Sequence, residues 1–207
     1  MKSIKIDGVT IQRGNSKMGN VMHINLPPPM TCKGRPCLTD GCYAMKFYNM
    51  RPAVKKSWDG NWAALVTDRN KYFEAIAQAI DKAKPKMFRW HSAGDIPDIN
   101  YLFRMEAVAV QFPDTKFMCF SKQLEIVFDA ERMSTGMIRP IRYVLSGWTG
   151  FNIPKKLRKQ FPTAWMCDEK NPDPNIPVDA LPCSGGCETC GVCWALKPGQ
   201  SVVFDKH

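Results

Sequence analysis

Between Met87 and Phe120 the chain reads MFRWHSAGDIPDINYLFRMEAVAVQFPDTKFMCF, the pattern of a βα unit followed by the next strand. Met87–His91 is a short apolar run of the kind a buried strand takes, and Ser92–Asp95 (SAGD) is a turn. Ile99, Leu102, Phe103 and Val108 then recur at helical spacing within Pro97–Gln111, and Lys116–Phe120 is apolar again. A helix between two strands calls for parallel pairing, because an antiparallel hairpin needs only a short turn.

Outward from this unit the pattern repeats. A helix is expected over Lys122–Met133, a strand over Ile141–Ser146, a short basic helix after Pro154 and a strand over Thr163–Cys167. Upstream, residues 59–83 read as one long helix carrying Trp62, Leu65, Val66, Phe73, Ile76, Ala77 and Ile80, with Asp59 as N-cap and Pro85 as its stop. Residues 20–25 (NVMHIN) form a candidate short strand. These elements predict an α/β protein, a small or partial (β/α) barrel-like parallel sheet, with a doubly wound open sheet as the alternative.

The expected organisation is a single domain in three parts. Residues 1–58 are mostly irregular and rich in Gly, Pro, Met and Asn, 59–168 hold the βα units, and 169–207 form a Pro-rich tail ending in His207, expected to be disordered. In such folds functional residues sit in loops after the strand carboxyl ends. Those loops carry His91 and Asp95, Ser121 and Lys122, Ser146 with Trp148, and Cys167 with Asp168. His91 and Asp95 are the candidate cofactor-binding pair, although Asp95 or Asp98 also suits the cap of the next helix. His23, between apolar residues, reads as a core histidine.

At 207 residues, 44% hydrophobic and 23% charged, the chain can bury a core without staples. No run approaches the ~18 apolar residues of a membrane helix. The opening MKSIKIDGVT lacks the features of a signal peptide, so a cytoplasmic protein with no membrane partner is expected. The net charge of +10 favours an acidic or polyanionic partner, nucleic acid or an acidic protein. The basic stretches Arg51–Lys56 and Lys155–Lys159 are short, and a solvated basic face explains them equally well.

Seven of the nine cysteines fall in two runs, Cys32-x4-Cys37-x4-Cys42 and Cys183-x3-Cys187-x2-Cys190-x2-Cys193. Disulfides are rare in a reducing cytosol, and thiols at such spacing suit shared metal better than pairwise bridges. Zinc sites use two separated C-x2-4-C pairs, whereas ferredoxin-type runs read C-x2-C-x2-C-x3-C. The second run has the ferredoxin spacing in reverse order. One or two iron–sulfur clusters, of the four-iron type, are therefore expected, with zinc as the alternative. Two four-iron clusters need eight ligands, and the runs supply seven. The eighth is Cys167, Cys119, His91 or Asp95, or it is absent and leaves an iron open. As inert buried thiols, Cys119 and Cys167 would need no metal.

Cys42-Tyr43-Ala44, closing a three-cysteine loop before a helix and followed by βα units, resembles the start of radical S-adenosylmethionine enzymes. That resemblance implies a four-iron cluster whose open iron binds S-adenosylmethionine within a full or partial barrel. The family's C-x3-C-x2-C spacing is missing from the first run and occurs instead at Cys183, Cys187 and Cys190. A closer resemblance is to a bacteriophage family labelled gene product 88. It is carried by Asn15-Ser16-Lys17-Met18-Gly19, the Cys-Tyr-Ala loop, Arg89-Trp90-His91-Ser92-Ala93-Gly94-Asp95, Leu145-Ser146-Gly147-Trp148 and Cys193-Trp194. This resemblance implies a phage-encoded, cysteine-rich, iron–sulfur protein and no particular reaction. With the charge and the opening residues, the expected setting is the host cytoplasm and the expected partner of the basic surface is nucleic acid or an acidic host protein.

Overall fold

Apolar runs alternating with amphipathic helices fold here into one seven-stranded sheet in which every pairing is parallel. The computed structural model describes residues 3–134, 139–168 and 173–205; His207 and the start of the Pro-rich stretch lie outside the described residues. A hairpin of β1 (Ile4–Ile6) and β2 (Val9–Ile11) precedes β3 (Met22–Ile24). Then come α1 (Pro28–Thr31), a 3-10 turn (Pro36–Leu38), α2 (Tyr43–Met50), α3 (Pro52–Thr67) and α4 (Arg69–Ala83). Next, β4 (Met87–Trp90), α5 (Ile99–Gln111), β5 (Lys116–Ser121), α6 (Leu124–Met133), β6 (Ile141–Ser146), α7 (Lys155–Gln160) and β7 (Thr163–Cys167) alternate as the periodicity predicts. The C-terminal segment adds β8 (Leu181–Pro182), α8 (Cys187–Cys190), α9 (Val192–Ala195) and β9 (Ser201–Asp205).

The strand order is β3-β4-β5-β6-β7-β9-β8. Neighbours from β3 to β7 follow chain order, as in a (β/α) barrel; a doubly wound sheet reverses its order at a switch point. β3 and β8 are the edges, so the sheet is open and barrel-like only in part.

Three expectations are corrected. The long helix over 59–83 is two helices, broken at Asp68, whose backbone is extended at φ −150° and ψ 97°. Its carboxylate accepts the Lys71 N–H at 3.0 Å and caps α4, a bond that typically contributes about 1 kcal/mol. Asp59 is no cap; it lies inside α3 and accepts from Lys55 Nζ at 2.6 Å and Tyr48 OH at 2.7 Å. The first 58 residues, expected to be mostly irregular, hold β1 to β3, α1, α2 and the start of α3, which begins on a proline, favoured in a helix's first turn.

Successive side chains of a strand point to opposite faces. Phe88, Trp90, Phe117, Ile141, Tyr143, Leu145 and Trp165 face the helices and pack with Ile76, Ile80, Leu102 and Val127. On the opposite face Met118, Val144, Ala164 and Val202 are covered by Met18 and Val21 and by Trp194 and Leu196. The helices cover one face, and segments near the two ends of the chain cover the other.

Candidate metal centre

The turn after β4 is tied to its neighbours by buried polar groups. Asn25, the residue after β3, accepts from Ser92 Oγ at 2.7 Å and from the Ala93 N–H at 2.8 Å. Gly94 has φ +82°, and a Cβ there would lie 2.5 Å from the Leu26 carbonyl oxygen, so only glycine fits this close approach. Asp95, 4% exposed, accepts from Ser121 Oγ at 2.7 Å and from the N–H groups of Lys122 and Ile96, both at 2.8 Å. Its carboxylate therefore joins the β4 turn to the end of β5. The cap of α5 is Asp98, which accepts the Tyr101 N–H at 2.8 Å and pairs with Arg69.

Over this edge lies the first cysteine loop. Thr31 Oγ1 accepts the Asp95 N–H at 3.0 Å, and Gln123 Nε2 donates to the Thr31 carbonyl at 3.0 Å. Arg35 donates to Gln123 Oε1, and Trp148 Nε1 donates to Asp40 Oδ2 at 3.2 Å. The loop is thus fastened to the ends of β5 and β6, and it sets its three thiols within electrostatic reach of one another. The Cys37 thiol donates to Cys42, which pulls the Cys42 pKa down to about 6, helped by the first amides of α2 at Met45 and Ala44. The same bond, with burial, pushes Cys37 up. Burial and then the charge of Asp95 hold Cys32 at about 12. The Lys122 ammonium favours the thiolate of all three. It donates to Ser146 Oγ at 3.0 Å and lies 5.2 Å from the centre of the Trp148 ring. Of the loop residues named from the sequence, Asp95 acts on Cys32 and Lys122 on all three thiols, Ser121 and Ser146 bond to these two, and Trp148 bonds to Asp40 of the cysteine loop.

The second run sits on the other face of the sheet. Cys183, Cys187 and Cys193 pack against Met118, Val144 and Trp194. Gly186 N–H donates to the Lys17 carbonyl at 3.0 Å, and Glu188 accepts from Asn20 N and Nδ2 at 3.0 Å. The Asn15–Gly19 motif is the clasp that holds this run in place. Cys187 and Cys193 are pushed up by burial, Cys193 to about 12, and Arg89 opposes that shift in both.

The remaining candidates are spread out. His91, 2% exposed, takes a left-handed φ of +60°. Its ring lies 5.5 Å from that of Tyr101, and neither ring nitrogen has a hydrogen-bond partner. Cys167 is half-buried at the carboxyl end of β7, and Cys119 is buried beneath the sheet against the helices. His23 is a core histidine, its Nδ1 3.1 Å from the Val21 carbonyl.

All nine cysteines are free thiols, and among the described residues no three His, Cys, Asp or Glu side chains form a group that could hold one metal ion as they stand. In donor chemistry the two sets fit thiophilic metal, since both are all-sulfur and each has a cation nearby. Sequence reasoning missed Asn25, Gln123 and Arg89. Arg89 had a visible signal, a charge in the middle of an otherwise apolar strand.

Fold and site together define an α/β protein with one thiol set at the carboxyl edge of a parallel sheet and another across its face. Within that class, the chain belongs to the bacteriophage family described as Gene product 88, whose model matches residues 6–196 and so spans both cysteine runs. No curated protein and no solved structure matches it. Among the described residues no helix is long and apolar enough to cross a membrane.

Proposed function

We propose that this chain is an iron–sulfur protein, with a four-iron cluster on Cys32, Cys37 and Cys42 and a second metal centre on Cys183, Cys187, Cys190 and Cys193. The observation that carries the reading is three thiols from one loop at the carboxyl edge, Cys37 bonded to Cys42, with the Lys122 charge favouring the thiolate of each. That edge is where βα folds place their chemistry. A cluster held by three protein thiolates supplies one-electron transfer and an iron with a vacant coordination position. Lys122 offsets the negative charge of the thiolates, and the Trp148–Asp40 bond keeps the loop closed over them. S-adenosylmethionine at the open iron is the finer form of this reading. It rests on Cys42-Tyr43-Ala44 and on the sequential strand order alone.

The test is iron, zinc and acid-labile sulfide per chain after anaerobic purification, for wild type and for a Cys32→Ala/Cys37→Ala/Cys42→Ala variant. Loss of about four irons with matching sulfide in the variant is the expected result. Zinc without sulfide in both would replace the redox reading with a structural one. S-adenosylmethionine added to reduced protein should change its EPR spectrum if the finer form holds.

One surface favours a second reading, a non-catalytic protein whose metals are structural and whose basic face docks nucleic acid. Tyr43, Phe47 and Met50 of α2 are exposed, and the Arg51 guanidinium lies 4.6 Å from the centre of the Phe47 ring. Exposed rings beside cations are what single-stranded nucleic acid stacks on. This reading predicts salt-dependent binding of single-stranded DNA or RNA that weakens in Phe47→Ala.

A further inference from the structure

Arg89 and Arg142 stand on the face of the sheet that the helices leave uncovered. They belong to one row, since Arg89 pairs with Met118 and Met118 with Arg142 across β4, β5 and β6. The Nε of each is buried and has no hydrogen-bond partner. Among the described residues Arg89 Nη1 reaches Met18 Sδ, at 3.4 Å, and its guanidinium lies 4.7 Å from the centre of the Phe120 ring. Neither arginine takes part in an ion pair among the described residues. Both side chains are partly buried, and a cation drawn part of the way out of water with no anion against it is a destabilising element that Arg cannot escape by losing its proton.

The C-terminal cysteine run lies across this row. α9 rests on β5 and β6, and Trp194 Nε1 donates to the Phe88 carbonyl at 3.4 Å. Cys183, Cys187 and Cys193 pack against the same apolar cluster, built on Met118, as Met87 and Phe120, the neighbours of the arginines on β4 and β5. As free thiols these cysteines are neutral and leave the arginines unmatched. Deprotonated and bound to metal, they form a centre of net negative charge, because four thiolates outweigh a divalent ion or a sulfide-bridged core.

We propose that Arg89 and Arg142 form a cationic floor whose anion is the metal-loaded set Cys183, Cys187, Cys190 and Cys193. This rests on the metal reading above and adds what holds the second centre against the sheet. The arginines sit beneath that centre rather than ligating it, so they position it and fix its charge.

The experiment uses the full chain with Cys32, Cys37 and Cys42 replaced by alanine, so that only the C-terminal set reports. Metal affinity is measured by competition with a chromophoric chelator, and melting temperature is measured with and without metal. The comparison covers Arg89→Met, Arg89→Lys and the double Arg89→Met/Arg142→Met. Arg89→Met should lose roughly ten-fold in affinity, the double variant more, and Arg89→Lys less. Without metal, Arg89→Met should melt at or above its parent, because a partly buried cation with an unpartnered Nε has gone. Unchanged affinity in the double variant overturns the proposal. So does an equal fall in melting temperature with and without metal, which would mean that the arginines serve the fold alone. A parent that takes up no metal refutes the reading of the C-terminal set as a metal centre, whereas a parent that binds metal beside unaffected variants refutes only the cationic floor.

Discussion

His23 in β3 and His91 after β4 fold as neutral imidazoles, held down to about 4 and about 3 by loss of water. In the unfolded chain both titrate near 6.5. Below that value the unfolded state binds protons that the folded state refuses, so stability present at neutral pH is lost as pH falls. Each histidine contributes about 1.4 kcal/mol per pH unit between 6.5 and its folded value. Urea denaturation of metal-free protein at pH 7.5 and 5 should show that fall, and His91→Gln should reduce it. Equal stability at both pH values would mean that water reaches the rings. That a histidine and an aspartate stand at the carboxyl end of β4 was legible in the sequence. Which aspartate caps α5 was not, because Asp95 and Asp98 are equivalent by type and spacing. The backbone places Asp98 next to the Tyr101 amide and turns Asp95 toward β5.

At the scale of elements, the βα alternation from β4 to β7 was readable because each strand is a compact apolar run and each helix carries its own period. The helix over 59–83 was read as continuous because its apolar pattern runs through Asp68. A side-chain cap interrupts the backbone there without disturbing that pattern. β9 was missed because Ser201–Asp205 is short and follows a Pro-Gly turn. Its strand character comes from lying between β7 and β8. Gly147, just after β6, lies against the Trp165 ring, and a Cβ there would lie 2.4 Å from it. Trp165 is buried and bonded through Nε1 to Thr163 Oγ1 at 2.8 Å, so it has little room to give way. Gly147→Ala should therefore cost about 1–3 kcal/mol in chemical denaturation, as overpacking does. A loss below a few tenths would show that the ring moves freely.

Across the whole molecule, segments from the two ends of the chain meet on one face of the sheet through protein contacts. Lys17 and Asn20 hold Gly186 and Glu188, Trp194 and Leu196 fill the second core, and β9 is paired on both sides. Emptying the second cysteine set should therefore loosen a clasp without unfolding the chain. In Cys187→Ser/Cys190→Ser we expect faster amide hydrogen exchange over residues 15–20 and 183–196, with protection of β4 to β6 unchanged. Exchange rising across the entire sheet would show that metal carries the fold.

The sequence by itself determined the α/β class, the βα order and the presence of two thiol sets, because hydrophobic period and cysteine spacing are local properties of the chain. Only the tertiary structure decided that the first set lies at the carboxyl edge facing Lys122, and that the second crosses the opposite face above Arg89 and Arg142. Strand order, and which face a terminal segment covers, depend on pairings between distant residues. No window of sequence contains those pairings.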